Sequence, residues 1–214
     1  MKNKRLVLTA AAICICMAVA SIWVFGESLG SFFRIGQARQ SADAAADEEV
    51  LAYYKKTPIT RAMVAYQQKV DAERDEALRY NESEAEIVDR LLAGLVMLDE
   101  AEAQGIAATD AEIEAFMTAQ KDNYEKFPEA SAMIDDYCKG AGMTLDEYWA
   151  DLEEQAYGTI SRQKLQDKVT QAYCAETGYT GDTHTAEYAE LAKKAMDSYR
   201  KKLLETYASD ISYR

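Results

Sequence analysis

An all-α fold follows from three observations: a helix-favouring composition, repeated capping boxes, and one apolar helix too wide to lie at a surface. The chain has two prolines and ten glycines in 214 residues, and its abundant Ala, Glu, Lys and Leu favour helix throughout. Ser83 with Glu86, Thr109 with Glu112 and Thr144 with Glu147 each place a hydroxyl three residues before a carboxylate. At that spacing the two side chains satisfy backbone N–H groups that a helix start leaves orphaned. After the first cap, Ile87, Val88, Leu91, Leu92, Leu95, Val96 and Leu98 cover more than half of a helix circumference. A helix that apolar must be wrapped by others. Gly105 ends it, and Gly94 would let a neighbour come close.

Taken in order, residues 1–26 are a basic start followed by an uncharged run from Leu6 to Gly26. At about 1.5 Å per residue a helix of this length matches a hydrocarbon core of about 30 Å. Lys2, Lys4 and Arg5 would stay in the cytoplasm and leave the bulk of the chain outside. The rival reading is a cleavable signal peptide cut near Ala20, since Ala18-Val19-Ala20 is an A-x-A site, although Ile22-Trp23-Val24-Phe25 carries the apolar run past it. Cys14 and Cys16 follow isoleucines, which argues against lipoprotein processing. Residues 27–47 mix Gly, Ser, Gln and Ala and read as a membrane-proximal spacer, partly helical through SADAAADEEV.

Residues 48–176 form the expected helical domain. At most one short strand is expected near Leu51 to Ile59, and then a helix from Thr60 to about Arg79 with Met63, Val64, Gln67 and Val70 at helical spacing. After the central helix, Ile113, Phe116 and Met117 mark a third helix ending near Phe127-Pro128. Pro128 suits the first turn of the next, which turns Met133, Ile134 and Tyr137 inward and stops at Gly140 and Gly142. The helix behind Thr144 runs through Tyr148, Trp149, Leu152, Ala156, Ile160, Leu165, Val169 and Ala172. Residues 177–214 hold a last helix with Tyr188, Leu191, Ala195, Tyr199, Leu203 and Tyr207 on one face.

Charge and chemistry narrow the function. The 37 Asp+Glu outweigh 24 Lys+Arg for a net charge of −13, and three of those basic residues precede the apolar run. Such a surface repels phosphates and anionic lipid heads, so nucleic acid is excluded as a partner. The single histidine, His184, lies in a polar turn; there is no Cys/His spacing for a metal and no phosphate-binding loop. Asp135-Asp136 and Glu153-Glu154 point apart as helix neighbours and read as solvated faces rather than acid–base dyads. No catalytic residue, metal or cofactor is expected. Cys138 and Cys174, the cysteines outside the apolar run, would form either an extracytoplasmic disulfide or two independent half-buried thiols.

One resemblance adds to this reading. The wide helix ending in EAEAQGIAATDAEIEAF, its turn Gly105-Ile106-Ala107-Ala108-Thr109-Asp110, and the later Gly142-Met143-Thr144-Leu145-Asp146-Glu147 resemble the N-terminal chaperone domain of SurA and PrsA-type proteins. Thr57-Pro58-Ile59-Thr60-Arg61 sits where that family has its entry segment, with Lys55-Lys56 in place of the usual Asn-Gly. The resemblance covers roughly Glu48 to Val169. It implies a membrane-anchored, extracytoplasmic chaperone or foldase-like module that binds unfolded secreted polypeptides. The parvulin isomerase domain that often accompanies it is not expected, because residues 177–214 are too few for a domain of about 50 residues or more. The family's C-terminal helix often packs back on the N-terminal ones, which Tyr188 to Tyr207 would do. Met117, Tyr124, Phe127, Met133, Tyr137, Met143, Tyr148 and Trp149 are the candidate peptide-binding side chains, since Met and aromatic groups re-pack around varied peptides. The alternatives are that these residues only fill the core, that the chain is a scaffold for one dedicated membrane or cell-surface partner, or that it is a degenerate isomerase-family enzyme.

Overall fold

The computed structural model describes residues 29–45, 49–73 and 82–214. In chain order these form α1 (Leu29–Ala44), β1 (Val50–Tyr54), β2 (Thr57–Thr60), α2 (Arg61–Ala72), α3 (Glu84–Ala103), α4 (Asp110–Lys126), α5 (Pro128–Ala141), α6 (Leu145–Thr177) and α7 (Ala186–Thr206). A 3₁₀ turn (Ala208–Asp210) and β3 (Ile211–Tyr213) follow. The fold is mostly helical. The apolar run Leu6–Gly26 lies outside the described residues, and among those described no helix is long and apolar enough to cross a membrane.

Local chemistry sets the helix boundaries. In each of the three capping boxes the carboxylate accepts the N-cap backbone N–H: Ser83 to Glu86 at 2.7 Å, Thr109 to Glu112 at 2.8 Å and Thr144 to Glu147 at 2.8 Å. Thr60 caps α2 by accepting from the Met63 N–H. At the other end of α3, Gly105 adopts φ 67°, which lets the Gly105 and Ile106 N–H groups bond back to the Glu102 and Ala101 carbonyls. Helix α2 stops at Ala72, short of the expected Arg79; residues 74–81 lie outside the description.

Helix α3 is the core. Ile87, Val88, Leu92, Ala93, Val96, Met97 and Ala101 are buried, and α2, α6, α7, β1 and β2 wrap them. The C-terminal helix α7 packs on α3 and α6, with Tyr199 and Tyr207 donating to Glu100.

Two expectations need correction. The first is the spacer at residues 27–47. Instead α1 buries Phe32, Ile35, Arg39 and Ala42 and packs chiefly on α5. The packing is backbone against backbone: a Cβ on Gly36 would lie 2.2 Å from the Tyr137 carbonyl oxygen, and one on Gly140 would lie 2.0 Å from the Phe33 carbonyl oxygen. The second is the single strand. Three strands form one sheet in the order β2-β1-β3, with Ala52 opposite Ile59 on one side and Tyr213 on the other. The two-residue loop Lys55-Lys56 closes the hairpin without glycine because Lys55 takes φ 52°. Its N–H donates to the Asp210 carbonyl at 2.7 Å and its ammonium pairs with Asp99, which offsets the cost of the left-handed conformation. Cys138 and Cys174 are both buried free thiols.

Candidate peptide-binding groove

The eight side chains singled out from the sequence mostly face inward. Met117, Met133, Tyr137 and Tyr148 are buried in the core, and Tyr124, Met143 and Trp149 are half-buried against it. Phe127 alone is well exposed, at 45 %, on the kink between α4 and α5. The structure does bring many of them together. Tyr137 meets Tyr148 edge-on at 6.0 Å, Tyr148 meets Trp149 at 5.0 Å and Trp149 meets Tyr124 at 5.8 Å. This chain of rings fills the junction of α4, α5 and α6, and the Tyr124 hydroxyl is spent on Asp135 at 2.9 Å. It is a packed aromatic seam, not an open surface.

Beside that seam sits a buried cation that the sequence reading did not single out. Arg39 of α1, 4 % exposed, donates to Asp43 at 2.8 Å and to Asp151 of α6 at 3.3 Å. Burial disfavours its charge, but Tyr137, Asp43 and Tyr66 around it outweigh that and hold its pKa above the ordinary guanidinium value. With Tyr137, Met143, Tyr148, Asp151, Leu152 and Gln155 it lines a cavity of about 10 Å³, the size of one water molecule. That is room for solvent and not for a substrate. Arg39 therefore serves to lock α1 onto the body of the protein.

Among the described residues, a space large enough to take a ligand lies on the other face of α1. Between α1 and α2 runs an open groove of about 600 Å³. Its α1 wall is Arg34, Gln37, Ala38, Ser41, Ala42 and Ala45, and its α2 wall is Arg61, Ala62, Ala65, Tyr66, Lys69 and Glu73. The groove exists because the two helices meet through alanines, whose methyl groups are too short to fill the space between the axes. Both walls are fixed from outside. Gly36 and Arg39 hold α1, while Arg90 of α3 grips Asp71 at the end of α2 at 2.8 Å. Bidentate hydrogen bonds from Arg34 to Glu73 tie the walls together at one end. Near the other end Arg61 pairs with Glu49 and Glu84.

Elsewhere the polar groups act as structural ties. Tyr54 donates to Asp99, Tyr157 to Glu102 and Tyr213 to Asp89, so carboxylates along α3 hold the sheet, α6 and the C-terminal strand. Among the described residues no group of three or more His, Cys, Asp and Glu side chains is placed to hold a metal ion. The backbone N–H of His184 donates to Asp182 in an exposed turn. Comparison with protein-family models, curated proteins and solved structures finds no match. The groove's own geometry is thus the basis for a functional reading. Its signal in the sequence is the alanine spacing Ala38, Ala42, Ala45 facing Ala62 and Ala65, which reads as featureless until the two helices are paired.

Proposed function

We propose that the chain is a membrane-anchored, extracytoplasmic chaperone-like module that holds unfolded polypeptides and performs no isomerase chemistry. The observation that carries this is the alanine-floored groove between α1 and α2. An apolar floor with the long, exposed Gln37 and Lys69 side chains on its rim imposes little geometry on what it holds, as a binder of many sequences requires. The uncharged Leu6–Gly26 run behind a basic start supports the anchor and its orientation. The acidic remainder of the surface keeps an aggregation-prone complex in solution.

The test uses the full chain in phospholipid nanodiscs. At modest molar excess it should slow aggregation of an unrelated, chemically denatured enzyme, and 0.3 M salt should not abolish the effect. Ala65→Trp, which fills the groove from an exposed position, should remove most of it. A chain that suppresses no aggregation and instead co-purifies with one stoichiometric membrane protein is a dedicated scaffold, and the holding role is then wrong.

A further inference from the structure

The groove differs in charge from the rest of the molecule. The chain as a whole carries −13, yet among the described lining residues Arg34, Arg61 and Lys69 stand with one carboxylate, Glu73, while Glu49 and Glu84 reach Arg61 from outside the lining. Two of those cations are committed. Arg34 is held by Glu73 and Arg61 by Glu49 and Glu84. Lys69 is different: it stands exposed on the α2 rim, and among the described residues no carboxylate pairs with it. It lies one helical turn from Glu73, beside Ala65 and Tyr66 of the apolar floor.

The dimensions match a short stretch of extended chain. At about 1.5 Å per residue the wall from Arg34 to Ala45 runs about 16 Å, enough for roughly five residues of extended peptide. Alternate side chains of such a peptide would point to the floor and the others to the rim. The floor of methyl groups leaves space that large aliphatic or aromatic side chains would fill, and the ammonium on the rim is the group that discriminates.

We infer that the groove takes an extended peptide segment whose apolar side chains fill the alanine floor and whose carboxylate pairs with Lys69, so that segments mixing apolar and acidic residues are preferred over apolar–basic ones. This rests on the peptide-holding reading above and adds a rule of selection to it. It also runs against the overall charge, which by itself would favour basic segments. The local field prevails because the pairing distance lies well inside the screening length of about 8–10 Å, whereas much of the acidic surface lies beyond it.

Fluorescence anisotropy on the full chain in nanodiscs tests the rule. The probes are two labelled nonapeptides with alternating leucines, one carrying a central aspartate and the other a central lysine. The aspartate peptide should bind about three- to fivefold more tightly, the range of one solvent-exposed ion pair, and the gap should narrow in 0.5 M salt. Lys69→Gln should erase the preference and Lys69→Glu should invert it; Lys69 is on the surface, so an unchanged melting curve confirms that the fold is intact. Ala65→Trp should weaken both peptides together. Equal binding of the two peptides, or a preference that Lys69→Glu leaves unchanged, overturns the inference. So does a concentration-dependent dimer that Ala65→Trp dissociates, because the occupant is then a second copy of the chain. Aggregation suppression separates the two levels. If wild type still suppresses aggregation while the peptides show no charge preference, the holding role stands without this groove rule. If the charge preference is present while wild type suppresses nothing, the groove stands and the holding role fails.

Discussion

Gly36 and Gly140 are the residues on which the placement of α1 depends. Each would drive a Cβ into a backbone carbonyl of the facing helix, at 2.2 Å and 2.0 Å respectively, and backbone cannot swing aside as a side chain can. Gly36→Ala should therefore destabilise the protein by about 3 kcal/mol or detach α1 locally; chemical denaturation, with hydrogen exchange across residues 29–44, distinguishes the two. Arg39 is the second such residue. Arg39→Met removes the cation between Asp43 and Asp151, and loss of one partner of a buried pair costs about 3 kcal/mol. Asp43 is half-exposed and can rehydrate, so the lower end of the usual range applies. Neither glycine nor arginine was legible as a core residue. Hydrophobic patterning marks large apolar side chains, whereas here the burial is achieved by a missing side chain and a paired charge. The capping residues were legible because their chemistry is complete within four residues of sequence.

At the scale of elements, ionisable ties fasten the last part of the chain, and their pH dependence follows from the sign of each shift. Tyr207 donates to Glu100 at 2.7 Å, and that bond, with burial and the carboxylate charge, raises its pKa to about 12. A tyrosine raised above its ordinary value of about 10 contributes stability that is fully present below pH 10 and lost as pH rises through 12. The docking of α7 should loosen in that window, seen as falling helical ellipticity, and Tyr207→Phe should flatten that part of the profile. Glu112 behaves oppositely. Lys164 and the Thr109 cap lower it to about 2, so its contribution is present above pH 4.5 and disappears as pH falls towards 2. Acid unfolding of wild type and Glu112→Gln should differ in slope only below about pH 4.5. The apolar stripe of α3 and the restart of helix at Pro128 were readable because each is set by local spacing. The three-stranded sheet was not, since β3 comes from residues 211–213 and pairs with residues 52–54, a partnership no local window contains. The aromatic seam left groove and core open for a related reason: sequence marks adaptable side chains but not which face α1, α5 and α6 cover.

For the whole molecule, the division of labour is between a core built on α3 and a groove built on α1 and α2. The core holds most of the large apolar residues, and the floor of the groove is made chiefly of alanines. That arrangement explains why the residues best suited by chemistry to hold a peptide are not the ones facing solvent, and why alanines make the cleft. The most direct measurement is site-specific photo-crosslinking of the full chain in nanodiscs. A benzophenone side chain is placed at Gln37 on the groove rim or at the exposed Ala119 on α4, and each is offered one purified client in its unfolded and folded forms. Crosslinks at Gln37 to the unfolded client only, with none at Ala119, are the predicted result. Equal yields at the two positions, or crosslinks at Gln37 to the folded client as readily as to the unfolded one, would contradict a groove that holds unfolded chains.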